Sequence, residues 1–446
     1  MTDSLPQPLK DALTEKLAES LGAPLPVGTP RRVYGATGLP GKATAVVGMR
    51  RAGKTTFLHQ LRGERLARGV PRTQLPYINF EDERLAGLAA SQLGFLLDEF
   101  ARRVPEAEGG AVWCFDEIQV IPGWERFVRR LLDAGRDEVI VTGSSAALLS
   151  REIATALRGR AWEVPLYPFS FAEALQHQGK KVPEDSGFLT AAARARIERA
   201  FLDWLGVGGF PEAQGLESAA RRQLLQDYVD VAMLRDVVER HGVSNVTGLR
   251  WLVRHLLGNA ATLFSVEKFY AALKSQGMAI SKDTVHQMLA HLEDCFLVRM
   301  VWMESASERQ RMVNPRKAYP VDTGLIPVFD RSGKSNKGHA LETAVLIELE
   351  RRHCAVTYVR TPDGYEVDFL ARGPANEIEL IQVCADASDP ATAKREVRAL
   401  LAAGAAHPGA RQRLLTLTRD GAPTEVPSGV VVQPAYEWML TPPQVG

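Results

Sequence analysis

One stretch constrains this chain more than any other. Gly48-Met-Arg-Arg-Ala-Gly53-Lys54-Thr55 fits the pattern GxxxxGK[ST], directly after the apolar run 43–48 and before a helix-like segment that starts near Thr55. The chemistry explains the spacing: glycines let successive backbone N–H groups curl around a phosphate, and the following helix adds the positive end of its dipole. Such a segment folds as strand, loop and helix. Lys54 is expected to reach the terminal phosphates of ATP and the Thr55 hydroxyl to ligate Mg²⁺. Gly48, Arg51, Ala52, Gly53 and Thr56 are expected to complete the cradle, with Arg50 and Arg51 solvated or phosphate-adjacent rather than catalytic.

The surrounding pattern is that of an α/β domain. Strand-like runs at 43–48, 75–80, 111–116, 138–143 and 161–166 alternate with helix-like stretches. They are continuously apolar rather than alternating, as a parallel sheet covered on both faces requires. The third run, Val112-Trp-Cys-Phe, ends in Asp116-Glu117. Asp116 is expected to hold the Mg²⁺ through water, and Glu117 to orient and polarise the attacking water; an exposed carboxylate pair at a strand end is the plainer alternative. The fourth run ends in Thr142-Gly-Ser144-Ser145, where Ser144 or Ser145 could touch the γ-phosphate or simply cap a helix. Before the fifth run stands Leu157-Arg158-Gly159-Arg160. Arg160, in preference to Arg158, is a candidate to neutralise transition-state charge in a neighbouring subunit's site; a surface ion pair is the other reading.

Composition limits the partners. With 446 residues, 45% of them apolar and 24% charged, the chain has material for several domains. Its 54 Lys and Arg against 53 Asp and Glu leave a net +1, so a nucleic-acid surface has to be local. Cys114, Cys295, Cys354 and Cys384 lie far apart, which excludes a zinc ribbon or disulfide scaffold and suits a reducing cytoplasm. The first residues lack the pattern of a secretory leader. No apolar run approaches the ~18 residues that span a bilayer, so no membrane partner is expected.

The rest of the chain divides by pattern. Residues 1–40 read as an amphipathic helix (Leu9, Leu13, Leu17, Leu21) and a Pro/Gly-rich connector, 41–180 as the nucleotide-binding core, and 181–260 as a helical lid. In 261–330, two helices precede a charged ribbon with Arg299, Arg309, Arg311, Arg316 and Lys317 against Glu304 and Glu308. That order suggests a winged helix-turn-helix able to touch DNA phosphates, with Lys282, Thr284, His286 and His291 on the outer face of its second helix; docking a protein is the alternative. After a linker at 331–338, residues 338–434 return to α/β.

Taken together, GMRRAGKTT, YINFEDERL, WCFDEIQVIPGWE, VTGSSAALL, ALRGR, FSFAEAL, GGFPEA and LRDVVERHG resemble a widespread family of prokaryotic AAA+ ATP-binding proteins, over about residues 30 to 420 and in the family's order. The resemblance implies Walker roles for Lys54, Thr55, Asp116 and Glu117, the sensor position for Ser144 or Ser145, and the arginine finger for Arg158 or Arg160. The LRGR placement is also similar to that of Holliday-junction branch-migration motors and replication-origin ATPases. The last domain resembles the restriction-endonuclease-like PD-(D/E)xK fold, with Glu342 and Asp368 at two metal-ligand positions. Gln382 and Cys384 stand where an acid and a lysine belong, and an amide and a thiol replace neither; Glu379 could at best substitute for the third acid. No nuclease activity is expected, and Glu342 and Asp368 would then make structural bonds, for instance to Arg351 or Arg372. The expected protein is an ATP-hydrolysing ring, a hexamer, that remodels or translocates on duplex or branched DNA. The alternative is a nucleotide-dependent switch in defence or signalling that acts on a protein partner.

Overall fold

Five short strands build the first sheet, buried through its middle and partly exposed at its two edge strands. In the computed structural model, which describes residues 5–107, 110–144, 157, 159–181, 190–331 and 336–443, the chain forms two compact units, Met1–Leu166 and Tyr167–Gly446. The first opens with α1 (Gln7–Gly22), whose Leu13 and Leu17 are fully buried. Then follow β1 (Ala43–Val47), α2 (Lys54–Ala67), β2 (Tyr77–Asn79), α3 (Gly94–Arg103), β3 (Val112–Asp116), α4 (Trp124–Ala134), β4 (Glu138–Gly143) and β5 (Ala161–Pro165). All neighbours pair in parallel in the order β2-β3-β4-β1-β5. β1 and β3 are buried along their whole length, the reason their sequences do not alternate. On α4, Trp124, Phe127, Val128, Leu131 and Leu132 fall at three- and four-residue spacing and form the buried stripe.

The second unit starts with helices: α5 (Phe171–His177), α6 (Ala191–Val207), α7 (Ser218–Val231), a π-helical continuation (Ala232–Glu239) and α8 (Val246–Gly258). Next come β6 (Thr262–Phe264), α9 (Val266–Ser275), α10 (Lys282–Asp294), β7 (Val298–Met303), the short α11 (Glu308–Val313), β8 (Arg316–Pro320) and α12 (Ile326–Phe329). The end of the chain adds α13 (Lys337–Arg351), β9 (Ala355–Arg360), β10 (Glu366–Arg372), β11 (Ile378–Cys384), α14 (Pro390–Ala406), β12 (Arg411–Thr416), β13 (Val430–Pro434) and α15 (Ala435–Leu440). The helix-strand-strand-strand-helix-strand order expected of 338–434 is present.

Two expected boundaries are corrected. The first unit ends at Leu166 rather than 180, because Phe171 packs its ring on Phe201 and Trp204 in the core of the second. The segment 331–338 does not separate two sheets. One eight-stranded sheet, ordered β13-β12-β11-β10-β9-β7-β8-β6, runs across it, because β7 pairs in parallel with β9 (Trp302 with Thr357, Met303 with Tyr358). The ribbon expected to project as a wing is thus built into the sheet through its first strand. Among the described residues no helix is long and apolar enough to cross a membrane.

Candidate nucleotide site

The loop after β1 has the backbone that its glycines permit. Gly48 has φ +157°, and a Cβ there would stand 2.1 Å from the Leu166 carbonyl oxygen, whose own N–H bonds to Val47 O at 2.7 Å. Any side chain would push β5 away from the loop. Arg51 (φ +66°) and Gly53 (φ +97°) are left-handed, and Gly53 caps α2, which begins at Lys54. The unpaired N–H groups of that first turn face back into the loop, the arrangement an anion requires.

Four elements then converge. Lys54 is 4% exposed; its Nζ donates to Gly48 O at 3.1 Å and Met49 O at 3.3 Å, and stands 3.3 Å from Glu117 Oε1. Thr55 Oγ1 donates to Asp116 Oδ2 at 2.7 Å. Asp116, fully buried at the end of β3, also accepts from the Tyr77 hydroxyl at 2.9 Å and from Thr142 Oγ1. Thr142 Oγ1 in turn accepts the Glu117 N–H at 2.9 Å, tying β4 to the turn that follows β3. Glu117 itself is left-handed (φ +50°), and Gln119 Nε2 donates to its Oε2 at 2.5 Å. Burial holds the Asp116 carboxyl above its ordinary range. Burial acts the same way on Glu117, but Lys54 and the Gln119 amide outweigh it and hold Glu117 below.

These residues fit a nucleotide and its metal. Lys54 spends its donors on loop carbonyls and Glu117, all of which a phosphate can replace. Thr55 and Asp116 already bring two oxygens together, the hard donor set Mg²⁺ prefers. Ala52 is buried and offers its carbonyl to Arg31 Nη1 at 2.7 Å. Thr56, expected in the cradle, directs its methyl toward Gly28 of the connector. Arg51 is exposed, and Arg50 pairs with Glu81 at 2.7 Å. Ser144 is buried at the end of β4; Ser145 and Arg158 lie outside the described residues. Arg160 precedes β5, whose register with β1 (Ala43 with Ala161, Val47 with Pro165) puts it at the edge of the sheet opposite the phosphate loop, where it pairs with Asp133 of α4. Sequence reasoning missed Tyr77, Gln119 and Arg31; a hydroxyl opposite Asp116 in a neighbouring strand carries no motif.

The expected phosphate-contacting ribbon is corrected. Arg299 is bound by Glu350, Nε 2.8 and 2.9 Å from its two carboxylate oxygens. Lys317 is 3% exposed and turns inward to Glu342 and Asp368. Arg316 lies over the Trp302 ring, 3.4 Å from its centroid. Lys317 is turned into the interior; Arg309 is exposed, and Arg311 is half-exposed, 3.5 Å from Glu308 and 5.6 Å from the Trp302 ring centroid. On α10, Lys282 pairs with Glu267 and His291 stacks on His241. The partners suggested for Glu342 and Asp368 also change: Arg351 stands by Glu173 and Glu348, and Arg372 by Glu304. Gln382 donates to Glu396 Oε2 at 2.7 Å and accepts the Asp368 N–H at 3.3 Å; Cys384 donates to Asp386 O.

Residues 40–175 match the family model described as an AAA domain, and residues 198–335 match a domain of unknown function. An uncharacterised protein of Methanocaldococcus jannaschii is 33% identical over 366 residues, 81% of this chain and 78% of that one. An uncharacterised protein of Haemophilus influenzae is 30% identical over 339 residues, 76% and 81% respectively. Among solved structures, a Walker-type ATPase of Pyrococcus abyssi aligns at TM-score 0.40 and 18% identity, covering 72% of this chain and 95% of that one. The Aeropyrum pernix ORC1 protein, solved in complex with DNA, aligns at 0.28 and 15%, covering 73% and 93%.

Proposed function

The chain belongs to one family with the uncharacterised proteins of Methanocaldococcus jannaschii and Haemophilus influenzae and carries an AAA domain, and we propose that it is an AAA+ ATPase that hydrolyses ATP with Mg²⁺ at a site completed by a second copy of itself, in a ring. The observation that supports the reading is the joined pair of contacts Thr55–Asp116 and Lys54–Glu117, which gather two hard oxygens and a cation–carboxylate pair at one loop. Bound ATP–Mg²⁺ would supply the phosphoanhydride and the charge-neutralising metal. Lys54 would balance the terminal phosphates, Thr55 and Asp116 would hold the metal, and Glu117 would orient water. Gln119 and Thr142 fix Glu117 by its side chain and its N–H. Arg160 stands too far along the sheet to serve its own loop, which supports a role at a neighbour's. The free cysteines among the described residues suit a reducing cytoplasm.

For the output of hydrolysis we propose remodelling of, or movement on, duplex or branched DNA, with the helix-helix-hairpin segment as the contact. A specific observation favours a second reading, a nucleotide-dependent switch acting on a protein: three of the five ribbon cations, Arg299, Arg316 and Lys317, are engaged internally. ATP turnover measured with forked, four-way and linear DNAs separates them. A motor on DNA shows stimulation by at least one; unchanged turnover with all of them sinks the DNA reading and leaves the switch.

A further inference from the structure

Tyr77 has contacts that lead out of the nucleotide site as well as into it. It lies on β2, the edge strand of the first sheet, in register with Cys114 of β3. Its hydroxyl donates to Asp116 Oδ2 at 2.9 Å, the oxygen that also accepts from Thr55, while Thr142 donates to Oδ1. Burial, together with the Asp116 carboxylate beside it, holds the phenol well above its ordinary range, so the hydroxyl keeps its proton and serves as a donor. At its other end Tyr77 meets the N-terminal helix: its N–H donates to Ser20 Oγ of α1 at 3.2 Å, and the Ser20 hydroxyl donates to Leu17 O at 2.9 Å. Buried Arg62 of α2 closes the ring of contacts. Its Nη2 donates to Ser20 O at 2.9 Å and to Leu75 O at 2.6 Å, and its Nη1 lies 3.0 Å from His59 Nδ1. The His59 and Tyr77 rings pack with centroids 4.5 Å apart. Arg84 with Glu15, at 3.1 Å, and Lys16 with Asp82 tie α1 to the segment after β2.

The terminal torsion of an aspartate is soft, so a carboxylate held at one oxygen can swing about its own bond. Two donors on opposite oxygens stop that rotation. Thr55 cannot be one of them once its oxygen turns to a metal, which leaves Tyr77 on Oδ2 and Thr142 on Oδ1. Mg²⁺ demands near-ideal geometry and is correspondingly sensitive to the aim of its oxygens. We propose, resting on the assignment of Thr55 and Asp116 to the metal, that Tyr77 is a positioning residue for the metal-holding carboxylate and that α1 sets it through Ser20. Thr142 is anchored by β4 and by the Glu117 N–H. Tyr77 stands instead on an edge strand, and its backbone is fixed on the outer side by Ser20. The N-terminal helix is thereby part of the metal site without touching it: a shift of α1 along the sheet edge moves the donor that aims Asp116.

The test uses the full chain and a fluorescent ATP analogue, titrated once with excess Mg²⁺ and once with EDTA; the ratio of the two affinities reads the metal's share of binding. Tyr77→Phe keeps the ring against His59 and Arg62 and removes only the donor. It should cut the ratio roughly tenfold, the low end for removing a partner of a metal ligand, and leave the affinity in EDTA unchanged. Ser20→Ala should cut it roughly threefold, the scale of one backbone hydrogen bond, and should add nothing in the Tyr77→Phe background, because both act on one donor. A Tyr77→Phe ratio equal to that of wild type overturns the inference, and so does equal weakening with and without Mg²⁺, the result of loosened packing alone. Ser20→Ala at the wild-type ratio, or full additivity of the two substitutions, overturns the share given to α1. If Tyr77→Phe does not fold, Ser20→Ala alone decides. A wild type whose affinity Mg²⁺ does not raise overturns the assignment of Thr55 and Asp116 to the metal, and this inference with it; a wild type that responds to Mg²⁺ beside an equally responsive Tyr77→Phe overturns this inference only.

Discussion

Lys54 and Glu117 are paired across the phosphate loop, Nζ 3.3 Å from Oε1, while Gln119 holds the other carboxylate oxygen. In the proposed reaction each partner is needed elsewhere, the ammonium on phosphate and the carboxylate on water. A terminal phosphate would then draw Lys54 away and leave Glu117 on Gln119, so nucleotide binding and the freeing of the base would be one event.

Lys54→Ala should therefore lose nucleotide affinity, whereas Glu117→Gln should keep it and lose turnover, because an amide cannot polarise water. Fluorescent-nucleotide titration and phosphate release check the two arms. Wild-type turnover in Glu117→Gln would remove Glu117 from the catalytic role.

Arg160→Ala should bind nucleotide normally and turn it over roughly a thousandfold or more slower, the scale of an arginine finger. Asp133→Ala, which only frees Arg160 from its intramolecular partner, should not reproduce that loss. Mixing Arg160→Ala with Lys54→Ala should restore some activity where one intact loop meets one intact arginine. Mixtures as inactive as their components would place Arg160 outside a shared site.

If the hairpin touches DNA, the charge reversal that tests it is Arg309→Glu with Arg311→Glu, since Lys317 and Arg299 are engaged in internal ion pairs. Affinity should fall similarly across sequences, and the salt dependence should flatten by about two phosphate contacts, with basal ATP turnover retained. Filter binding at several salt concentrations reads both.

The purified protein should cleave no DNA with Mg²⁺ or Mn²⁺. Asp368→Ala should cost about 3–5 kcal/mol of stability, the scale of stranding a buried partner, and change ATP turnover little. Denaturant unfolding and steady-state assays measure these. Cleavage that Asp368→Ala abolishes and Lys54→Ala does not would refute the expectation.

Glu293, at the end of α10, has its carboxyl pushed up to about 7 by burial, only partly offset by Arg299 and Arg316. The folded chain keeps this proton where the unfolded chain has released it. Stability should fall as pH rises from about 4.5 to about 7 and then level off from this group. Glu293→Gln should remove that component and be the more stable protein at pH 8, by about 1–3 kcal/mol. Equal pH slopes for the two proteins would exclude the effect.

What sequence made legible was whatever local chemistry dictates. The phosphate loop, Asp116-Glu117 and the five strands follow from spacing and from apolar runs, continuously buried in β1 and β3, and the strand bounds differ by only a residue or two. The resemblance to the nuclease-like fold put Glu342 and Asp368 at two positions of one site, and both accept from Lys317. Their counter-ion was not legible: Lys317 lies 25 and 51 residues away, on a strand that reads as a solvated ribbon until its pairing is known. The same ignorance of pairing made Arg299 look available to phosphate. Tyr77 and Gln119 reach the site by strand register and by a turn conformation, neither of which a residue type announces.

The parallel pairing of β7 with β9 has a practical consequence for dissecting the molecule. Severing the chain between 331 and 338 would leave β7 and β9 each with a bare row of N–H and C=O groups, the kind of edge that recruits other chains. Fragments 261–330 and 338–434 made separately should thus precipitate or cross-pair rather than behave as modules, and co-expressed halves should be recovered together.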